Sequence, residues 1–187
     1  MRAKRPAVFL DRDGTLIRDR PGYYLKRPEE VRVYRRVPEA LGLLRRAGYR
    51  LVVVTNQSGL ARGFFDRAGL ARIHARLARD LRRGGARLDA IYFCPHHPDD
   101  ACRCRKPLPF LARRAARDMG LDLAASVVVG DKRADLGLAR ALGIPGVLVL
   151  SGHGRHELSK AKPFKPAAVR RDLLGAARWI LKRGTRP

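Results

Sequence analysis

Five short apolar runs alternate with longer amphipathic stretches along this chain, and that alternation leaves few folds open. The runs span residues 8–10, 51–54, 90–93, 127–129 and 147–150. Each is rich enough in aliphatic or aromatic residues to be a strand buried on both faces. The intervening sequence predicts helices over about 37–47, 66–83, 109–119 and 134–142. Pro38 and Pro109 suit helix beginnings, and Gly48, Gly120 and Gly143 suit helix ends. Strand–helix alternation of this kind predicts a doubly wound, three-layer Rossmann-like α/β domain around a central parallel sheet. At 187 residues the chain most simply forms one such domain over 1–187.

Right-handed crossovers bring the carboxyl ends of these strands to one edge, where open α/β sheets bind ligands. The first run ends in Asp11, the second in Thr55-Asn56-Gln57-Ser58, the third in Cys94 and the fourth in Gly130-Asp131. Distant residues thus become one candidate pocket. In Asp11-Arg12-Asp13-Gly14-Thr15 the Gly-Thr pair predicts an abrupt turn. Two carboxylates so placed suit phosphoryl transfer: Asp11 attacks phosphorus, and Asp13 exchanges a proton with the leaving or attacking oxygen. The same pair also reads as a metal clamp or a solvated loop. Thr15 either orients Asp13 or makes an ordinary turn hydrogen bond.

Phosphoryl transfer needs positive groups around the equatorial oxygens. Thr55 and Asn56 are placed to donate hydrogen bonds, and Lys106 to supply a mobile ammonium. Arg105 either clamps a second phosphate or sugar oxygen or neutralises the neighbouring cysteines. Arg62 is a further counter-charge or a solvated residue. Asp131, with Asp11 and the main-chain carbonyl of Asp13, offers oxygen ligands for a catalytic Mg²⁺. Lys132 binds phosphate or pairs with an acid. Asp135 supports Lys132 or the metal, or serves as an acid at a helix N-terminus.

All three cysteines lie between 94 and 104, beside His96 and His97. Cys94, His96, Cys102 and Cys104 can close a tetrahedral, structural Zn²⁺ site that holds Arg105 and Lys106 against the catalytic edge. Ligand chemistry alone leaves His97 open in place of His96. A metal-free thiol cluster, or a disulfide with a spare thiol, is the alternative. The polar stretch after Thr15 predicts a short flap, too brief for a large cap domain, with Tyr23 either stacking on substrate or packing the flap.

The chain carries 41 Lys and Arg against 17 Asp and Glu, a formal charge of +24. Such an excess attracts phosphates and polyanions without selecting one. Arginines spaced along helical segments, such as Arg76, Arg79, Arg82 and Arg83, read as solvated faces. The basic C-terminal extension, about 155–187, has ten Lys or Arg against Glu157 and Asp172. Its Trp179-Ile180-Leu181 predicts a docked amphipathic helix rather than a free tail. No apolar stretch approaches the roughly 20 residues of a membrane span. The basic start at 1–5 lacks the long apolar core of a signal peptide, so a cytoplasmic location is expected.

Four segments together resemble the haloacid dehalogenase-like phosphatases. Asp11-Arg12-Asp13-Gly14-Thr15 matches their Asp-x-Asp-x-Thr signature, Thr55 follows the second run, Lys106 falls in the third motif, and Gly130-Asp131-Lys132-x-x-Asp135 is similar to the fourth. The resemblance implies Asp11 as nucleophile, Asp13 as acid/base, and Asp11, the Asp13 carbonyl and Asp131 as Mg²⁺ ligands. The zinc loop with Cys104-Arg105-Lys106-Pro107 resembles the branch that handles heptose bisphosphate and histidinol phosphate. It implies Cys94, His96, Cys102 and Cys104 as zinc ligands, with Arg105 and Lys106 facing substrate. Thr55 to Gly63 adds resemblance to the heptose enzymes. The implied reaction removes the C7 phosphate of a heptose 1,7-bisphosphate. Histidinol phosphate, a 3′-phosphate on nucleic acid and noncatalytic polyanion binding are the alternatives. A small phosphorylated sugar is the expected partner of a monomer, without an obligate nucleic-acid or membrane partner.

Overall fold

The computed structural model describes residues 4–20 and 22–184. Most of the basic start and the last three residues of the basic end lie outside that range. Six parallel strands form one sheet: β1 (Arg5–Leu10), β2 (Arg50–Asn56), β3 (Ala90–Cys94), β4 (Leu121–Gly130), β5 (Gly146–Val149) and β6 (Ala168–Arg170), in the order β3-β2-β1-β4-β5-β6. The chain steps outward from β1 through β2 to β3, then crosses back to β4 and runs out the other way. That reversal separates the loops that follow β1 and β4, opening a crevice at their carboxyl ends.

Alternate residues of each strand serve opposite layers. Val8, Leu10, Val53 and Val129 pack with Leu41 and Leu44 of α1 (Val37–Arg46), Ile73 and Leu77 of α2 (Arg67–Arg83), and Ile180 of α6 (Leu173–Gly184). Phe9, Val52, Val54 and Val128 meet Leu111 and Ala115 of α3 (Phe110–Met119) and Leu138 and Ala139 of α4 (Arg133–Leu142). Near β5, Leu148 joins Leu136 and Ala161, the last residue of α5 (Gly154–Ala161). On α2 the buried residues Leu70, Ile73, Leu77 and Leu81 recur at helical spacing, each contributing roughly 1.5–3 kcal/mol of apolar burial. Its N-cap, Asp66, accepts a bond from the Gly69 amide at 2.6 Å. Helices α3 and α4 end in left-handed Gly120 and Gly143, as their sequences predict.

Two elements depart from the sequence pattern. β4 is far longer than its apolar run at 127–129, because its first half pairs with Arg5 and Pro6 while Ala124 and Ala125 stay exposed. A register shift between Pro6 and Val8 interrupts that pairing, and Ser126 Oγ accepts the Ala7 amide there at 2.9 Å. The basic C-terminal segment holds α5, β6 and α6 rather than a docked helix alone. The docking itself is as expected: Leu173, Leu174, Ala176, Ala177 and Ile180 are buried, and α6 packs on α1. Leu16, Ile17 and Val31 root the flap in the core while Gly22 and Tyr23 at its tip are exposed. Among the described residues, no helix is long and apolar enough to cross a membrane.

Candidate active site

The Asp11 amide donates to Val129 O at 3.0 Å, so the β1–β4 ladder fixes this residue at the reversal point. The chain then turns sharply: Leu16 and Ile17 amides both donate to Arg12 O, and the Gly14 amide donates to Ile17 O. Gly14 has φ +83°, and a Cβ there would stand 2.1 Å from Asp131 Oδ2. Glycine is therefore required twice over, by conformation and by the approach of the fourth-strand acid.

Asp11, Asp131 and Asp135 are all buried, and each offers an oxygen within 4.8 Å of the others. Lys106 Nζ enters this group, donating to Asp11 Oδ1 at 2.8 Å and Asp135 Oδ1 at 2.7 Å. Its ammonium is thus locked between acids at 5% exposure, which corrects the expectation of a mobile group. Burial opposes the charge on Lys106, but Asp11 and Asp135 outweigh it and hold the ammonium above its ordinary range. Burial likewise opposes ionisation of Asp11, yet Lys106 and Lys132 keep its carboxyl below the usual value.

In the other two acids burial wins, although Lys106 opposes it at Asp135 and Lys132 at Asp131. Burial, then the charge of Asp11, pushes Asp131 up to about 8; burial lifts Asp135 to about 6. Asp131 Oδ2 accepts the His153 amide at 2.8 Å, while its buried Oδ1 has no hydrogen-bond partner among the described residues. Three crowded carboxylates, one with an orphaned oxygen, fit a hard divalent cation. Asp135, expected only as support, stands within this cluster. It also accepts the Lys132 amide at 3.1 Å, which explains its place at the start of α4.

Asp13 faces the other way. Arg12 forks onto both of its oxygens, the shortest contact being 2.9 Å, and Gln57 Nε2 donates to Oδ2 at 2.9 Å. Arg12 is only 2% exposed and also donates to Gln57 Oε1 and engages His74 Nε2. Thr55 Oγ1 accepts from Gln57 Nε2 at 2.9 Å, joining the second strand edge to the same network. Thr15 does not orient Asp13: its buried hydroxyl has no hydrogen-bond partner among the described residues. Asn56 lines the cavity opened by these residues and also clasps the Lys106 main chain, donating to its carbonyl at 3.2 Å and accepting its amide at 2.9 Å.

These residues open on a cavity of about 370 Å³ whose outer wall is the flap, including Asp19, Arg20, Tyr23 and Tyr24. Asp19 accepts from Lys132 Nζ at 3.1 Å and meets His153 Nε2 at 3.0 Å, tying the flap to the fourth edge. Tyr24 lies edge-on to Phe64 at 4.9 Å and its hydroxyl is 3.3 Å from Ser58 Oγ. Arg105 lines the cavity. Arg62 sits over the Tyr24 ring instead and is not part of the cavity wall. Arg12, Gln57, Asp19 and His153 had drawn no expectation; the one signal for Arg12 was its position between two acids at a strand end.

Beside the cavity, Cys94 Sγ lies 3.5 Å from Cys102 Sγ and 3.7 Å from His96 Nδ1, and Cys104 Sγ lies 3.7 Å from Cys102 Sγ and 3.2 Å from His96 Nδ1. A zinc ion about 2.3 Å from sulfur and 2.0–2.1 Å from nitrogen spans ligand–ligand edges of roughly 3.5–3.8 Å. The four atoms fit it. His97 is turned away and pairs with Asp99 at 3.2 Å, and all three cysteines are free of disulfides. Burial pushes the Cys94 thiol up to about 12, so a thiolate there calls for a cation.

A reversed parallel sheet with clustered acids and a buried lysine at its switch point defines a class of hydrolase, and the comparisons agree. The HAD-hydrolase-like family model matches residues 103–176. The chain belongs to the haloacid dehalogenase-like hydrolases, among their heptose-bisphosphate phosphatases. It is 41% identical over 175 residues to the D-glycero-beta-D-manno-heptose-1,7-bisphosphate 7-phosphatase of Bordetella bronchiseptica, covering 94% of this chain and 97% of that one. The enzyme of the same name from Pseudomonas aeruginosa is 40% identical over 178 residues, covering 95% and 99%. The crystal structure of the D,D-heptose 1,7-bisphosphate phosphatase from B. bronchiseptica, complexed with magnesium and phosphate, superposes with a TM-score of 0.88 at 40% identity, covering 95% and 99%.

Proposed function

We propose that this chain hydrolyses the C7 phosphate of D-glycero-D-manno-heptose 1,7-bisphosphate, leaving the sugar 1-phosphate. The observation that carries the chemistry is the buried Asp11 carboxylate, held 2.8 Å from Lys106 at the sheet's switch point and facing the cavity. The names of the relatives carry the substrate and favour the beta anomer.

Asp11 attacks phosphorus, the bond from phosphorus to the sugar oxygen breaks, and Asp13 delivers its proton to that oxygen. Water then attacks the aspartyl-phosphate while Asp13 takes its proton, releasing inorganic phosphate and restoring Asp11. In that role Asp13 leaves the Arg12–Gln57 clamp it occupies here. Thr55, Asn56, Lys106 and Lys132 are the proposed phosphate contacts, and Arg105 and Arg20 the proposed contacts for the distal anionic end; all six line the cavity. Asp11, the Asp13 carbonyl and Asp131 are the proposed Mg²⁺ ligands, with Asp135 alongside. Bound there, Mg²⁺ shields Asp11 from its anionic substrate and polarises phosphorus. Cys94, His96, Cys102 and Cys104 are the proposed ligands of a structural zinc. A single-domain cytoplasmic monomer completes the reading.

A phosphate-release panel with Mg²⁺ tests it, comparing both heptose bisphosphate anomers, histidinol phosphate and a 3′-phosphorylated oligonucleotide. The heptose bisphosphate should be preferred; preference for histidinol phosphate overturns the substrate. In the same assay Asp11→Asn should lose at least about a thousandfold in turnover with its fold intact. Normal turnover there rules Asp11 out as nucleophile.

A further inference from the structure

Phe64 is a large apolar side chain left 38% exposed, and its ring contacts among the described residues both reach across to the flap. The Tyr24 ring stands edge-on to it at 4.9 Å between centroids, and Lys26 Nζ lies over it at 4.6 Å. Aromatic pairs and cations above ring faces attract beyond the area they bury. Tyr24 and Phe65 line the catalytic cavity, whereas Phe64 does not. Phe64 therefore bears on a substrate only through what it holds.

The loop that carries Phe64 is a firm platform. The Arg62 and Phe64 amides donate to Ser58 O and Gly59 O at 3.0 and 2.9 Å, and Phe65 packs so tightly on Gly59 that a Cβ there would stand 2.5 Å from its ring. The flap is firm only at its neck, where the Arg18 amide donates to Arg32 O at 2.8 Å and the Tyr34 amide to Leu16 O at 3.1 Å. At the tip Arg20, Gly22 and Tyr23 are exposed, and the Tyr23 amide closes a turn onto Arg20 O at 3.1 Å. So little burial puts the tip at the weakly held end of a structure. Two ties flank the turn. Asp19 is held by Lys132 and His153, and Tyr24 by Phe64 and by its 3.3 Å contact with Ser58 Oγ. Lys132 is also a proposed phosphate contact, so an incoming phosphate competes with Asp19 for its ammonium. The Tyr24 tie does not involve that lysine and stays free of the competition.

We propose that Phe64 is a positioning residue that acts through Tyr24, seating the flap so that Arg20 reaches the substrate phosphate distant from Asp11. That role rests on the sugar-bisphosphate reading of the cavity, in which Arg20 meets the distal anionic end. Without the ring at position 64, Tyr24 loses its edge-on partner and the seated flap becomes a smaller fraction of the molecules. Apparent affinity for the distal phosphate falls with that fraction. The acids around Asp11 are untouched, since Phe64 lies outside their cavity.

Steady-state kinetics of the magnesium-loaded full chain test this on two substrates: the heptose 1,7-bisphosphate, and the heptose 7-phosphate, which has the same sugar and scissile phosphate without the distal one. The native enzyme should favour the bisphosphate in kcat/KM. Phe64→Ala should cut that ratio at least about fivefold, chiefly through a higher KM for the bisphosphate. Phe64→Tyr keeps a ring beside Tyr24 and should restore most of the ratio. Arg20→Ala should lower the ratio too, and adding Phe64→Ala to it should lower it little further, because both changes remove one interaction. Leu158→Ala, which trims a similarly exposed apolar side chain on α5, should keep the native ratio. An unchanged ratio in Phe64→Ala, or equal falls in kcat/KM on both substrates, overturns the positioning role and leaves the substrate reading standing. A native enzyme with no preference for the bisphosphate overturns both.

Discussion

Replacing Lys106 with methionine would leave the buried Asp11 and Asp135 facing each other without the ammonium that joins them. Removing one partner from a buried ion pair costs on the order of 3–5 kcal/mol. Lys106→Met is therefore expected to lose about that much stability in urea without Mg²⁺, and less with it, since a divalent cation offsets the same negative charge. Turnover should fall at least about a hundredfold. Unchanged stability with and without the metal would contradict the arrangement. Residue identities at the strand ends were readable because a carboxylate after an apolar run has few other uses. Orientations were not. Arg12 looks like a solvated loop residue in the sequence, and only the long-range meeting of Asp13, Gln57 and His74 buries it. The second use of Asn56 was hidden for a related reason: its amide is matched by the Lys106 backbone, fifty positions away.

The cysteine loop acts at the scale of an element, because it sets where Lys106 enters the site. Asn56 clasps Lys106 from β2, and the Cys94–Cys104 cluster anchors the preceding chain to the end of β3. Cys102→Ser, or stripping metal with a strong chelator, should lower the melting temperature and reduce turnover together. Metal analysis of native protein should find about one zinc per chain. Full activity and an unchanged melting temperature in Cys102→Ser would remove the structural role. The four apolar cores β1, β2, β3 and β5 and the helices α1 to α4 were legible from periodicity. β4 was legible only in its buried half, because exposed Ala124 and Ala125 carry no strand pattern. β6 was hidden by its length, three residues within a segment whose charge dominates its composition.

Across the whole molecule, stability is tied to pH through His74, which links α2 to the catalytic turn. Burial, then the charge of Arg12, lowers its pKa from 6.5 to about 4. The folded protein thus prefers neutral imidazole, and the unfolded chain binds the extra proton between those values. The contribution is fully present above about pH 6.5 and is lost as pH falls towards about 4, on the order of 3 kcal/mol in all. Asp131 and Asp135, raised to about 8 and about 6, act in the opposite sense over this range, so the His74 share is read by difference: between pH 7 and pH 4.5, His74→Gln, which keeps an acceptor for Arg12, should lose less stability, or gain more, than the native protein. Equal changes would place the pH sensitivity elsewhere. The +24 charge leaves the basic helices solvated, yet inside the site local pairing decides the ionisation of Asp11 and Lys106, and burial that of Asp131 and Asp135.

The central place of β1 also governs the order in which this protein can be made. During synthesis its first strand meets β2 early, but its other neighbour, β4, begins only at Leu121. Until the ribosome has released that segment, one edge of the Asp11 strand stays open and Val129 O is not there to hold the Asp11 amide. Long-range parallel pairing of this kind is slow and leaves a nascent strand exposed to wrong partners. Translation speed across residues 57–130, rather than at the motif itself, is where a synonymous change would alter the yield of folded enzyme.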